Sequence, residues 1–291
     1  MSASLAPGKG AGRELGRFLE IQNLGLNLPF AVAFLLVATD GYPRLVPLLL
    51  LLVAFVAARN AGHAFNRWAD LRYDTLNPRT QDRALVAGRY APRTALLLTA
   101  ANAAVVVVAS YFLNPLALIL APVALALVLG YSYTKRFTAL TTVFLGLVEA
   151  VTPAAVFIGM LGRLPTGALW AVFGILAWGT AFETVHSLGD VGSDRSLGLR
   201  SLPLALGPDR SVVLVAVLHA AALVLLGLFG WAEGLGWAYY LGLAVVAALA
   251  ATLDASLVRH PSEVTRPFRR HFLLGVVFLV GTALSVYVPG M

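Results

Sequence analysis

The sequence predicts an all-α membrane protein, a bundle of about nine transmembrane helices around a central cavity. Three observations carry that prediction. Hydrophobic residues make up 59% of the 291 residues and charged residues only 12%, with a mean hydropathy of +0.83; soluble chains carry about 25% charged residues. Apolar runs long enough to cross a bilayer, roughly 17–25 residues, recur along the chain. Between them the cations fall in alternate loops.

The runs centre near Val32, Leu52, Val105, Ala124, Val151, Ile175, Val217, Val245 and Val277. Turn-forming residues separate several of them: Gly41-Tyr42-Pro43, Asn114-Pro115 and Leu164-Pro165-Thr166-Gly167. Pro122 and Pro153 fall inside runs, which membrane helices tolerate when neighbours satisfy the freed carbonyl. Residues 1–291 read as a single integral-membrane domain. Residues 1–17 are polar and Gly-rich, and read as a flexible cytoplasmic N-terminus rather than a cleavable signal peptide.

Lys9, Arg13 and Arg17 precede the first run. Arg67, Arg72, Arg79, Arg83, Arg89 and Arg93 follow the second; Lys135 and Arg136, then Arg195, Arg200 and Arg210, then Arg259, Arg266, Arg269 and Arg270 mark later loops. The intervening loops carry only Arg44 and Arg163. The positive-inside rule then gives a cytoplasmic N-terminus and an external C-terminus in the cell membrane, which an odd number of spans requires. The net charge of +7 is accounted for by this loop asymmetry, so a bilayer and not nucleic acid is the expected partner. The absence of cysteine excludes disulfides, thiolate metal sites and a Cys nucleophile.

Two acidic motifs stand at the cytoplasmic ends of runs. Asn66, Asp70 and Asp74 are spaced i, i+4, i+8, one helix face, with one turn between neighbours. Asp190 and Asp194 repeat the i, i+4 spacing. Each motif leads into a basic loop, a short apolar stretch and a glycine, Gly88 or Gly207, before the next run. This looks like an internal repeat: two similar four-helix halves plus a ninth helix, with a site between the halves. Carboxylates and an amide oxygen are hard ligands of the kind Mg²⁺ takes, commonly together with substrate phosphates. Arg67, Arg72, Arg79, Arg83, Lys135, Arg136, Arg195 and Arg200 would complete a cradle for a polyanion, beside an apolar bundle suited to a hydrocarbon tail. The simpler alternatives are that the acids are solvated helix ends, that Asn66 only caps its helix, and that Lys135 and Arg136 only set topology. Deeper in the runs, Arg59, Glu149, Glu183 and Asp254 are ionisable, and an Arg59–Glu183 ion pair across the cavity is one arrangement. His219 and His271 read as structural, since the histidines show no zinc-ligand spacing.

The motifs also carry a resemblance. Asn66-x3-Asp70-x3-Asp74, followed by Leu76-Asn77-Pro78-Arg79-Thr80-x2-Arg83-Ala84-Leu85-x-Ala87-Gly88, resembles the first signature of the UbiA superfamily of intramembrane prenyltransferases. Tyr131-Ser132-Tyr133-Thr134-Lys135-Arg136 is similar to that superfamily's basic motif, and Asp190-x3-Asp194-Arg195 to its second aspartate motif. The wording is most like the 4-hydroxybenzoate and menaquinone-pathway branch. The resemblance implies a Mg²⁺-dependent prenyltransferase, with two ions held by Asn66, Asp70, Asp74, Asp190 and Asp194 against a prenyl diphosphate. It implies catalytic roles for those four aspartates with Lys135 and Arg136. Around the substrates it implies Asn66, Arg67, Arg72, Arg79, Arg83, Tyr131, Tyr133, Glu183, His186, Arg195 and Arg200. A small aromatic or quinone-precursor acceptor would complete the reaction. A membrane terpene cyclase using the same metal site, and a transporter with acidic gates, are the competing readings.

Overall fold

The structure, a computed structural model, describes residues 11–19, 28–77, 80–259 and 265–288. The apolar runs are helical because, in hydrocarbon, every backbone N–H and C=O must find its partner within the segment. In chain order the helices are α1 (Ala11–Phe18), α2 (Leu28–Ala38), α3 (Leu45–Ala69), α4 (Leu71–Asp74), α5 (Pro92–Leu113) and α6 (Pro115–Gly130). A 3₁₀ turn, Tyr131–Arg136, follows, and then α7 (Thr141–Leu161), α8 (Ala168–Leu188), α9 (Val191–Ser196), α10 (Leu202–Leu206), α11 (Pro208–Ala232), α12 (Trp237–Arg259) and α13 (Thr265–Tyr287). Among the described residues seven helices are long and apolar enough to cross a membrane: α3, α5, α6 with its 3₁₀ turn, α7, α8, α11 and α12. Two shorter apolar helices, Leu28–Ala38 and Phe272–Tyr287, stand where the first and last expected runs lie.

Local sequence sets the turns. Proline opens α5, α6 and α11, a position where its missing N–H has no helical partner to lose. Between α5 and α6 the Asn114 side chain accepts from the Ala117 N–H at 2.9 Å and donates to the Ile158 carbonyl at 2.8 Å. One residue thus turns the hairpin and pins it to the C-terminal end of α7. That helix stops at Gly162, whose φ of 68° is left-handed and favours glycine.

The packing divides unequally. The larger core draws on α2, α7, α8, α11, α12 and α13, with Phe34, Phe157, Trp178, Phe229, Tyr239 and Phe278 among its buried residues. A smaller cluster joins Ala57 of α3, Val106 of α5 and Ala121 of α6. The sequence repeat predicts two similar four-helix halves plus a ninth helix, whereas α2 lends its aromatic face to the larger group, against α13 and α7. At the α12–α13 crossing the backbones meet, and a Cβ on Gly242 would lie 2.9 Å from the Gly281 Cα. Small residues at such a crossing let dispersion contacts replace the hydrophobic drive that lipid removes. Val46, Leu49, Val53 and Val56 are exposed along one face of α3, the helical stride of a lipid-facing stripe. Tyr42, Trp231 and Trp237, all exposed, gather at the helix ends opposite the acidic motifs, as an interfacial aromatic belt does.

Two polar features sit outside the acidic motifs. His219 of α11 and Asp254 of α12 meet inside the bundle, Nδ1 to Oδ1 at 2.9 Å, with the Trp178 ring 5.1 Å from the imidazole. The pairing accounts for a buried and a partly buried ionisable group that the sequence left without partners. At the other end of the chain, the segment expected to be flexible is a docked helix from Ala11 onward. Phe18 and Leu19 are buried in a cluster with Trp68, Leu85 and Tyr90, Glu14 pairs with Arg89, and Arg59 donates to the Leu19 carbonyl at 2.9 Å. Residues 1–10 lie outside the described residues.

Candidate active site

The two acidic motifs share one local conformation. Helix α3 ends at Asp70, with φ −93° and ψ 3°, and the short α4 begins there; α8 ends just before Asp190, with φ −104° and ψ −2°, where α9 begins. In both, the second aspartate's N–H donates to the first one's carbonyl at 2.8 Å. In both, that second side chain is buried, Asp74 at 7% and Asp194 at 3% exposure. The continuous helical face expected from the spacing is therefore a face with a bend at its first carboxylate.

Around Asp70 the polar groups converge. Asn66 Nδ2 donates to Asp70 Oδ2 at 2.9 Å and approaches Ser132 Oγ at 3.5 Å. Arg136 Nη2 stands 3.7 Å from Asp70 Oδ1 and donates to the Ala69 carbonyl at 2.6 Å. Its guanidinium carbon lies 4.4 Å from the Tyr133 ring centre and 5.4 Å from that of Tyr73, so two aromatic faces hold it. Burial pushes the Asp70 carboxyl up, with the Asp74 charge adding to the rise; Lys135, Arg136 and the Asn66 hydrogen bond oppose it. A carboxylate in that position favours an added cation, which relieves both the burial and the like charge. Asp74 has a different neighbour, Arg83, whose Nη1 bonds both its oxygens at 2.6 and 2.7 Å. Thr80 Oγ1 closes the same loop onto the Asp74 carbonyl at 2.8 Å.

At the second motif, His186 Nε2 lies 4.0 Å from Asp190 Oδ2. Glu183 is half-buried on α8, and Arg195 is exposed on α9. Arg67 is buried in the last turn of α3, Arg72 is exposed on α4, and Tyr131 is half-buried at the start of the 3₁₀ turn. Phe65 stacks near Tyr133, ring centres 5.8 Å apart. Arg200 donates from Nη1 to the Phe137 carbonyl at 2.7 Å, and from its backbone N–H to the Lys135 carbonyl at 2.8 Å. Arg79 lies outside the described residues. Three residues absent from the sequence-derived site belong beside it: Ser132, Thr80 and Tyr73. Their partners are remote or depend on loop shape, so spacing alone carries no sign of them.

Among the described residues no three His, Cys, Asp or Glu side chains form a ready metal-binding group. Each motif instead offers two carboxylates, with the Asn66 amide beside the first. That donor set suits Mg²⁺, which keeps several waters and commonly takes one or two carboxylates plus substrate phosphates. Arg136 Nε is buried and has no hydrogen-bond partner among the described residues. Such a donor is fitted to an anion brought in from outside.

Residues 27–285 match the UbiA prenyltransferase family. The chain is 31% identical to the 4-hydroxybenzoate octaprenyltransferase of Nitrosococcus oceani over 85% of this chain and 87% of the relative. It is 32% identical to the enzyme of the same name from Azoarcus sp., over 85% and 86%. Its fold matches the apo UbiA homolog from Aeropyrum pernix K1 with a TM-score of 0.81 and 32% identity, over 91% of this chain and 98% of that one. The UbiA homolog from Archaeoglobus fulgidus bound to GPP and Mg²⁺ shares the fold at a TM-score of 0.70 and 17% identity, over 94% and 100%. A match spanning nearly all the helices, with both acidic motifs inside it, means that the chain belongs to the UbiA prenyltransferase family.

Proposed function

We propose that this prenyltransferase moves a polyprenyl group from a prenyl diphosphate to a small aromatic acceptor, 4-hydroxybenzoate or a related quinone precursor, within the membrane. The carrying observation is the 3₁₀ turn Tyr131–Arg136. On one side it is bonded to the first acidic motif through Arg136, and on the other to the loop after the second motif through Arg200. One basic turn tied to both acidic motifs supports a metal–diphosphate head between them. The names of the 4-hydroxybenzoate octaprenyltransferase relatives support the acceptor class. Two Mg²⁺ ions would be held by Asp70, Asp74, Asp190 and Asp194, with Asn66 orienting Asp70. When bound, they neutralise the leaving diphosphate as Lewis acids.

The chain's own groups do the rest. Lys135, Arg67, Arg72, Arg83 and Arg195 supply positive charge where the leaving group accumulates negative charge, and their preorganisation by the loops spares reorganisation at the moment of reaction. Phe65, Tyr131 and Tyr133 present aromatic faces to the allylic cation, and the surrounding bundle excludes water that would quench it. Glu183 and His186 line the acceptor side, and a carboxylate or the released diphosphate takes the ring proton. In this reading there are nine spans, with α2 and α13 as the first and last, the N-terminus and the site cytoplasmic, and the C-terminus external.

Mass spectrometry of products from purified protein, Mg²⁺, a set of prenyl diphosphates and a panel of aromatic acceptors tests the reading. A prenylated aromatic is expected. A cyclic hydrocarbon formed from prenyl diphosphate alone, or no product from any pair, would overturn it.

A further inference from the structure

Arg200 joins two loops that the sequence keeps apart. Its N–H donates to the Lys135 carbonyl at 2.8 Å and its Nη1 to the Phe137 carbonyl at 2.7 Å. Those carbonyls flank Arg136, so one residue spans the end of the 3₁₀ turn. The turn is closed from within: the N–H groups of Phe137 and Thr138 both donate to the Thr134 carbonyl, at 3.1 and 2.9 Å. Thr134 is itself buried, with Oγ1 donating to the Tyr131 carbonyl at 2.6 Å. On the far side Arg136 anchors the turn to Ala69. A guanidinium bonded to a backbone carbonyl makes a charge-assisted hydrogen bond of fixed direction.

We propose that Arg200 is a positioning residue for Lys135 rather than a ligand of the diphosphate: its two bonds to the basic turn fix the Lys135 backbone, so that the loop after the second acidic motif sets an ammonium beside the first. This rests on Lys135 serving the diphosphate, as above. Half of the site thereby orders the other half before substrate arrives.

The natural absence of cysteine makes a labelled test direct. A spin label on Phe137→Cys, whose side chain is 60% exposed, reports the turn's motion; a label on Ser196→Cys is the control. Arg200→Met removes the Nη1 bond to Phe137 and keeps the backbone bond to Lys135, so it should loosen the label at 137 and leave the one at 196 unchanged, with no substrate present. It should lower kcat/KM for prenyl diphosphate about tenfold, the loss expected for a charge-assisted bond. In a Lys135→Met background it should cost nothing further. Unchanged motion at 137 would overturn the proposal, and so would independent multiplying losses from Arg200→Met and Lys135→Met, which would make Arg200 act on the diphosphate without Lys135. Should Arg200→Met fail to fold, Arg200→Lys decides: intermediate motion supports the tether and wild-type motion refutes it. If the wild-type protein transfers no prenyl group, the functional reading fails while the label still reports on the tether.

Discussion

Arg83 grips Asp74 with a single nitrogen, its Nη1 lying 2.6 Å from Oδ1 and 2.7 Å from Oδ2. The carboxylate is nearly buried, with 9% of the side chain exposed, while the guanidinium is 34% exposed. Removing one partner from a fully buried pair costs about 3–5 kcal/mol, and exposure on the arginine side reduces that here. Arg83→Met should lower the detergent melting temperature by a few degrees. Adding Asp74→Asn should recover part of the loss, because the stranded charge is gone. Strictly additive losses in the melting cycle would show that the pair does not stabilise the loop.

The shared conformation of the two acidic motifs predicts a shared function. Asp70→Asn and Asp190→Asn keep the side-chain size and remove a negative charge. Each should lower turnover by orders of magnitude. The melting temperature without ligand should change little, while stabilisation by Mg²⁺ plus prenyl diphosphate should vanish. Normal turnover and normal ligand stabilisation in Asp190→Asn would reduce the second motif to a solvated helix end.

His219 and Asp254 predict a stability effect away from the chemistry. Asp254→Ala leaves the imidazole in a polar hole that lipid cannot fill, and should destabilise the bundle by about 2–4 kcal/mol. His219→Leu combined with Asp254→Leu should be milder than either single change. Thermal unfolding of the three variants in detergent measures this, and a double variant worse than the sum would reject the pairing as a local unit.

Glu233, at the end of α11, predicts a pH dependence. Burial raises its carboxyl above the ordinary 4.5, and Asp40 adds to the rise while Arg163 opposes it. The folded chain therefore holds the proton more tightly than the unfolded chain. The associated stability is fully present below the ordinary carboxylate range and is lost as pH rises through the folded value. Melting temperature should fall over that interval in the wild type, and Glu233→Gln should flatten the profile. A wild-type slope unchanged by the substitution would assign the dependence to other groups.

Topology is tested by single cysteines. Labels at Asp82 and Ser196, both exposed, should react from the cytoplasmic side, and labels at Tyr42 and Trp237 from the external side. Reaction of 82 and 196 from opposite sides would break the single site.

The long helices were legible because the bilayer imposes one length and one composition on them, and among the described residues seven of the nine expected runs meet both requirements. The acidic pairs were legible because i, i+4 spacing survives any helix bend. The bends at Asp70 and Asp190 were not, since nothing in Trp68-Ala69-Asp70 or Leu188-Gly189-Asp190 demands them; they depend on what the short helices pack against. The same holds for the arginines. Residue type gave Arg83, Arg136 and Arg200 a place in a phosphate cradle, and spacing could not show the bonds they make within the protein, to the Asp74 carboxylate and to the Ala69 and Phe137 carbonyls. His219 found Asp254 across two helices, a pairing fixed by rotation of each helix about its axis.

The contact between α2 and α13 sets the order in which the molecule can be completed. Phe30 and Phe34 of α2 lie 5.2 and 5.8 Å, ring centre to ring centre, from Phe278 of α13, and Tyr287 bonds the Gly41 carbonyl at 2.7 Å. During synthesis α2 emerges well before α13, so the part of its aromatic face that α7, α8 and α11 leave free stays uncovered until the last helix arrives. Pairing between such distant parts of a chain is slow and leaves an exposed intermediate. Assembly is then a late-closing process, and a chain that stalls before α13 leaves Phe30 and Phe34 without their Phe278 contact.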